Sequence, residues 1–398
     1  MTVAKSLQFS TTSDIIFGAG CVHELGQLAK RSGIRHALLV TDQGLAARGM
    51  HRTACASLEA SGVAVTVYDA VIADPPTDVI LAATAIGSRA GCDGVIGFGG
   101  GSSMDTAKLV AVLLCNEQPL DAMYGVDKVR SSRKPLIQVP TTAGTGSEVT
   151  MVAVVTTGTN TKQGVVSRTL LADRVLLDPE LTVSMPAAVT AATGIDAMVH
   201  AIESYTSAKL KNPVSDMLAR EALRLLAGNI ARAVRSPTDI EARGAMLLGA
   251  MYAGQAFANA PVAAVHALAY PLGGNYHIPH GLSNSLVLPH VLRFNAVAAE
   301  PLYQELVPIV IDTSTMRHGA EASSTTASEA LTASEALAAH CLTLAADLGL
   351  PTRLRELDVP HADLPKLARE SLLQQRLLVN NPRLVTEADA LALYEQAY

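Results

Sequence analysis

Short runs of β-branched and apolar residues alternate with helical stretches through the first half of the chain. Residues 36–42 (HALLVTD), 63–69 (VAVTVYD), 93–101 (DGVIGFGGG) and 135–142 (PLIQVPTT) each end in turn or polar residues. Between them, 22–33 (VHELGQLAKRSG) and 77–91 (TDVILAATAIGSRAG) carry helix-compatible spacing. Strands alternating with helices predict parallel βαβ units, with ligands bound at the carboxyl ends of the strands. The run 173–186 (DRVLLDPELTVSMP) closes this half in a proline-flanked turn.

From Ala187 onward the pattern changes. Residues 187–207, 214–236 and 241–260 are rich in alanine and leucine at helical spacing, with almost no β-branched runs. The expected division is an α/β domain over 1–186 and an all-α domain over 187–398. Residues 312–336, rich in Ser, Thr and Ala, read as a surface loop leading into a helix, without chemistry. Between Arg243 and His266 there is no formal charge. That stretch is too rich in alanine and glycine, and too interrupted by Gln255, Asn259 and Pro261, to span a membrane. It reads as a buried helix with His266 at its end, where a solvated histidine is out of place.

Composition narrows the class. With 398 residues, 49% of them hydrophobic and 17% charged, the chain has material for two cores and excludes general disorder. A net charge of −6 with no basic block excludes a nucleic-acid footprint. Cys21, Cys55, Cys92, Cys115 and Cys341 form no short motif and read as reduced thiols of a cytosolic protein. The first residues (MTVAKSLQFSTTSD) lack the apolar core of a signal peptide. A soluble cytoplasmic protein is expected.

Two loops suit phosphate. In GVIGFGGGSSMDTAKLVAVLL an apolar strand runs into Gly99, Gly100 and Gly101, and a helix follows. Ser102 and Asp105 have the spacing of a capping box. Bare glycines let backbone N–H groups approach a diphosphate, and the helix N-terminus favours anions. Alone, the motif fits a ligand-free tight turn equally well. The second loop, 140–148 (PTTAGTGSE), offers Thr141, Thr142, Thr145 and Ser147 after a strand. Together the two loops point to a dinucleotide. The acidic residue that follows the glycines of a Rossmann fingerprint is missing. Asp42, at the end of an earlier strand, could instead accept from ribose hydroxyls, or simply cap a helix in TDQG.

The histidines raise a second chemistry. In GIDAMVHAIESY, Ile195, Met198, Val199 and Ile202 form an apolar stripe, and Asp196, His200 and Glu203 share another face. A carboxylate and an imidazole four residues apart can grip one cation, or form an exposed pair. His266 and His280 lie in HALAYPLGGNYHIPHG, with His280 held between Pro279 and Gly281. One carboxylate and three imidazoles suit Fe(II), Zn(II) or a similar divalent ion.

Taken in order, IIFGAG, VTD, GFGGGSSMDTAK, VPTTAGTGSEVT, DPELT, GIDAMVHAIESY, HALAYPLGG, PHGLSN and NNPRLVTEADALALYEQAY resemble the iron-containing, or group III, alcohol dehydrogenases nearly end to end. The resemblance implies an N-terminal α/β dinucleotide-binding domain and an all-α C-terminal metal-binding domain, the dehydroquinate synthase-like fold, with the site in the cleft between. It places metal ligands at Asp196, His200, His266 and His280. Nucleotide contacts fall at Asp42, the glycine run with Ser102, and Thr141, Thr142 and Thr145, and Lys162 stands near the nicotinamide. It implies NAD, a small primary alcohol or its aldehyde as substrate, and a homodimer.

The departure is Tyr270, where many members have a proton-relaying histidine. His277, nearby, is a secondary candidate for that relay, and Tyr270 could hydrogen-bond substrate or pack. Alternatives are a hydroxy-acid dehydrogenase, a metal-free maleylacetate-reductase-like enzyme, and a non-catalytic nucleotide- or metal-binding protein.

Overall fold

The computed structural model describes residues 6–115, 118–158, 161–311 and 331–398. Its first part is built on a six-stranded sheet. The chain supplies β1 (Asp14–Phe17), β2 (His36–Asp42), β3 (Ala64–Val71), β4 (Gly94–Gly99), β5 (Gly125–Val126), β6 (Leu136–Pro140), β7 (Val152–Thr157), β8 (Thr161–Val166) and β9 (Arg174–Leu177). The sheet order is β1-β9-β6-β4-β2-β3, with every pairing parallel. β4 and β6 are buried along their whole length, as an apolar run covered by helices on both faces must be. The helices of this part are α1 (Leu25–Arg31), α2 (Gln43–Ala47), α3 (Arg52–Ala60), α4 (Thr77–Ala90) and α5 (Gly101–Leu113). A smaller sheet, β5-β8-β7, projects beside this one.

From Ala187 the described chain is helical: α6 (Ala187–Thr206), α7 (Pro213–Arg235), α8 (Ile240–Asn259), α9 (Ala264–Tyr276), α10 (His280–Val310), α11 (Ala333–Asp347), α12 (Leu364–Ser371), α13 (Gln375–Leu378) and α14 (Glu387–Ala397). Sequence logic sets several of the ends. Asn212 and Asp239 accept from the Ser215 and Ala242 amides and so cap α7 and α8, and Thr386 and Asp389 close a capping box on α14. Among the described residues no helix is long and apolar enough to cross a membrane. The expected Ser/Thr-rich loop falls mainly on 312–330, outside the described residues, and α11 follows it.

Two expectations change. The charge-free run is not one helix: it breaks at Ala260–Ala263, so His266 lies in the first turn of α9 rather than at the end of α8. Nor do Ser102 and Asp105 form a capping box. Helix α5 starts at Gly101 with no side-chain cap, and Asp105 bonds elsewhere.

His290 is buried on α10. Burial and the nearby Arg293 push its pKa down to about 4. The folded state therefore binds fewer protons than the unfolded state between pH 6.5 and 4, and stability falls as pH falls through that window. The loss from this residue at pH 4 is about 3 kcal/mol. Urea unfolding of His290→Gln at pH 7 and pH 4 should show a smaller acid-induced drop than the wild type by about that amount.

Candidate active site

Helix α6 is buried nearly all round, and it carries Asp196 and His200 on one face, one turn apart. Their burial removes the reading of an exposed ion pair. His266 enters from the first turn of α9, and His280 is the first residue of α10, set by the preceding Pro279. The donor atoms of Asp196, His200, His266 and His280 all lie within 4.8 Å of one another. Asp196 Oδ1 is 3.9 Å from His200 Nε2, 3.9 Å from His266 Nε2 and 3.7 Å from His280 Nε2. Four donors this close together, one carboxylate and three imidazoles, are the set that would hold one divalent ion.

The electrostatics match that use. Burial pushes the His200 and His280 pKa values down to about 4 and about 3, against the pull of Asp196. Both rings are therefore neutral at pH 7 and offer lone pairs. Burial would raise the Asp196 pKa, but the facing imidazoles and the Asn284 amide hold it below the usual carboxylate range. One anion and neutral nitrogen donors make a set for a borderline divalent metal.

The surrounding shell orients these donors. Glu203, one turn beyond His200, accepts from His266 Nδ1 at 2.6 Å and from the Val265 amide at 2.7 Å. With its proton on Nδ1, His266 turns the Nε2 lone pair into the cage. Asn284 Nδ2 donates to Asp196 Oδ1 at 2.6 Å and lies 3.3 Å from Nε2 of both His266 and His280. Phe257 stacks on His200 with ring centroids 4.3 Å apart. Asn284 and Phe257 were missed from sequence, although PHGLSN contained the first.

A cavity of about 1110 Å³ opens from this cluster. Gly101, Ser102, Asp105, Thr145, Ser147, Lys162 and Tyr270 line it with the four donor residues. Asp42, Gly99, Gly100, Thr141 and Thr142 do not. They lie along the carboxyl edge of the sheet, where Val40 pairs with Gly97 and the Thr141 amide donates to the Gly99 carbonyl. The glycine turn is bare by necessity: Gly99 has φ +150, and a Cβ there would stand 2.7 Å from Ser103 Oγ. The hydroxyls of Thr41, Ser103 and Thr142 are buried beside this turn without partners. Unpaired donors around a bare helix N-terminus fit a phosphate-bearing ligand.

Asp42 Oδ1 accepts from the Leu45 amide and caps α2, the plainer of its two expected uses. Asp105 and Ser147 are partly spent on internal bonds. Ser147 Oγ donates to Asp105 Oδ1 at 2.5 Å, and the Val154 amide donates to Asp105 Oδ2 at 2.9 Å. Lys108, fully buried, donates to Ser147, Thr150 and the Val152 carbonyl and pairs with Asp105 at 3.2 Å. Burial lowers its pKa, while Asp105 and Glu148 pull it back. Unread from sequence, this lysine ties the glycine turn to the threonine loop.

Lys162 pairs with Asp74 at 2.7 Å and stands 5.7 Å from the Tyr270 ring centre. The Tyr270 ring lies 5.9 Å from that of His280. His277 is different: it is exposed, terminates α9 in the left-handed region at φ 56, and does not line the cavity. It belongs to a different element from His280, which opens α10.

A parallel sheet with a bare glycine turn, facing a buried carboxylate–imidazole cage across one cavity, defines a metal-dependent oxidoreductase that works with a dinucleotide. The chain belongs to the iron-containing alcohol dehydrogenase family. Residues 12–179 match "Iron-containing alcohol dehydrogenase" and residues 190–398 match "Fe-containing alcohol dehydrogenase family, C-terminal". It is 38% identical to long-chain-alcohol dehydrogenase 1 of Geobacillus thermodenitrificans, over 100% of this chain and 98% of that protein. It is 32% identical to an NAD-dependent methanol dehydrogenase of Bacillus methanolicus, over 96% and 97%. A solved 1,3-propanediol oxidoreductase superposes with a TM-score of 0.91 at 34% identity, covering 99% of this chain and 100% of that one.

Proposed function

We propose that this protein is an NAD-linked, metal-dependent alcohol dehydrogenase that interconverts a small primary alcohol and its aldehyde. The carrying observation is the convergence of Asp196, His200, His266 and His280 in a cavity that Gly101, Ser102 and Thr145 also line. These four residues would hold the divalent ion, which supplies Lewis acidity to the substrate oxygen when bound. NAD supplies the hydride chemistry that side chains lack. Gly101, Ser102 and Thr145 would seat its phosphates, with Asp42 and Thr141 at the adjoining sheet edge. Glu203 holds His266 in its donor tautomer, and Asn284 fixes the Asp196 carboxylate. Phe257, stacked on His200, gives one side of the site an apolar surface. Lys162, anchored by Asp74, sets a positive charge beside Tyr270. Tyr270, whose ring lies 5.9 Å from that of His280 and which lines the cavity, would touch substrate.

In this reading residues 1–186 form the nucleotide domain and 187–398 the metal domain. The scatter of the five cysteines without any short motif supports a reducing, cytoplasmic setting. The homodimer is supported by the family resemblance.

Dialysis against EDTA should abolish NAD-linked alcohol oxidation, and added Fe(II) or Zn(II) should restore it. Full turnover by a preparation shown to be metal-free would overturn this assignment.

A further inference from the structure

Strand β4 is bare on the face that α5 covers. Gly97 and Gly99 lie two residues apart on the strand and so share that face. A Cβ on Gly99 would stand 2.7 Å from Ser103 Oγ, and one on Gly97 would stand 2.9 Å from the Ala107 Cβ. Ser103 and Ala107 are one turn apart on α5, so the helix lies directly along the bare face. That packing holds the first amides of α5 at the carboxyl edge of the sheet.

One polar side chain enters this contact. Gln138, in the middle of β6, is the register partner of Gly97 and is fully buried. Its Oε1 fills the space that a Gly97 Cβ would take, and its Nε2 donates to the Met104 carbonyl at 3.0 Å. Met104 lies in the first turn of α5, and Gln138 itself does not line the cavity. The Met104 carbonyl already serves the helix ladder, so the fold does not require a second donor there. Gln138 Oε1 is buried without a partner. An amide with an orphaned acceptor is a cost to an apolar core, so stability does not account for a glutamine at this position.

The bond acts on the end of a helix that has no side-chain cap. On the cavity side, Asp105 accepts from the Ser147 hydroxyl and the Val154 amide. On the sheet side, Gln138 grips the turn that carries Ser103, whose buried hydroxyl has no partner. We propose that Gln138 is a positioning residue for the dinucleotide, holding the first turn of α5 on β4 so that its free amides meet the diphosphate already in place. This rests on the NAD-linked reading above and names the residue that sets the diphosphate seat. Donors fixed beforehand bind without the ordering cost of a loose helix end.

The test is Gln138→Met, which keeps the length of the side chain and removes the amide. Fluorescence titration with NADH and calorimetric titration with ADP, a probe of the diphosphate seat without the nicotinamide, give the two dissociation constants. Both should rise by about three- to tenfold, the range that one neutral hydrogen bond covers. KM for NAD should rise with them while kcat at saturating NAD holds, and metal affinity against a chelator should not change. Thermal unfolding should match or exceed the wild type, because the orphaned acceptor is gone. Unchanged Kd for NADH and ADP overturns the proposal and leaves the NAD-linked reading standing. So does a variant less stable than the wild type, which makes Gln138 a structural residue, or a rise for NADH without one for ADP. Wild-type protein that binds neither NADH nor ADP overturns both.

Discussion

Replacing Asp196 with alanine should eliminate tight metal binding and lower alcohol oxidation by at least about a thousandfold. The size of the effect follows from the charge of the cage. His200 and His280 are neutral at pH 7 because burial drives their protons off, so they contribute lone pairs but no charge. Asp196 is the anion of the set, within 3.9 Å of every imidazole donor. A divalent ion brought into this buried space without a carboxylate would leave its charge uncompensated. Glu203 cannot substitute, because its two oxygens are held by His266 and the Val265 amide. Metal analysis after dialysis, alongside kcat on a primary alcohol, checks the expectation. An alanine variant that retains one tightly bound ion per chain would remove Asp196 from the ligand set.

Features set by short-range interactions are legible in the sequence, and those set by long-range contacts are not. The strands at 36–42, 94–99 and 136–140 were legible because each is a continuous apolar run ending in turn residues, the pattern of a strand buried on both faces. The pairing of Asp196 with His200 was legible because a helix fixes what lies one turn away. The break at Ala260–Ala263 was not, since a run of alanines hides the end of one helix and the start of the next. Pro261 was the available signal. The capping-box reading of Ser102 and Asp105 failed because Asp105 has better partners in Ser147 and Val154, more than forty residues away. Asn284 stayed invisible for a related reason. Its amide matters only because α6, α9 and α10 bring Asp196, His266 and His280 around it.

The packing of α6 against α10 supplies the other large expected effect, from a residue with no donor atom to offer. Gly281 sits directly after His280, and its missing side chain lets α10 come down onto the backbone of α6. A Cβ at this position would strike the Ala192 carbonyl oxygen, with the carbonyl carbon 2.8 Å away and Asp196 Cβ 3.2 Å away. Backbone on one side and a ligand on the other leave a methyl group nowhere to go without separating the helices. Overpacking of this kind costs about 1–3 kcal/mol. Here the displacement falls on the 3.7 Å approach of His280 Nε2 to Asp196. Gly281→Ala should therefore weaken metal binding by about one to two orders of magnitude, the range seen when support of a metal ligand is lost. The metal-free form should lose about 1–3 kcal/mol of stability. Competition with a chelator of known affinity, paired with thermal unfolding of the metal-free protein, separates the two effects. Unchanged metal affinity would show that the helices absorb the methyl group without moving His280, and that another contact sets the geometry of the cage.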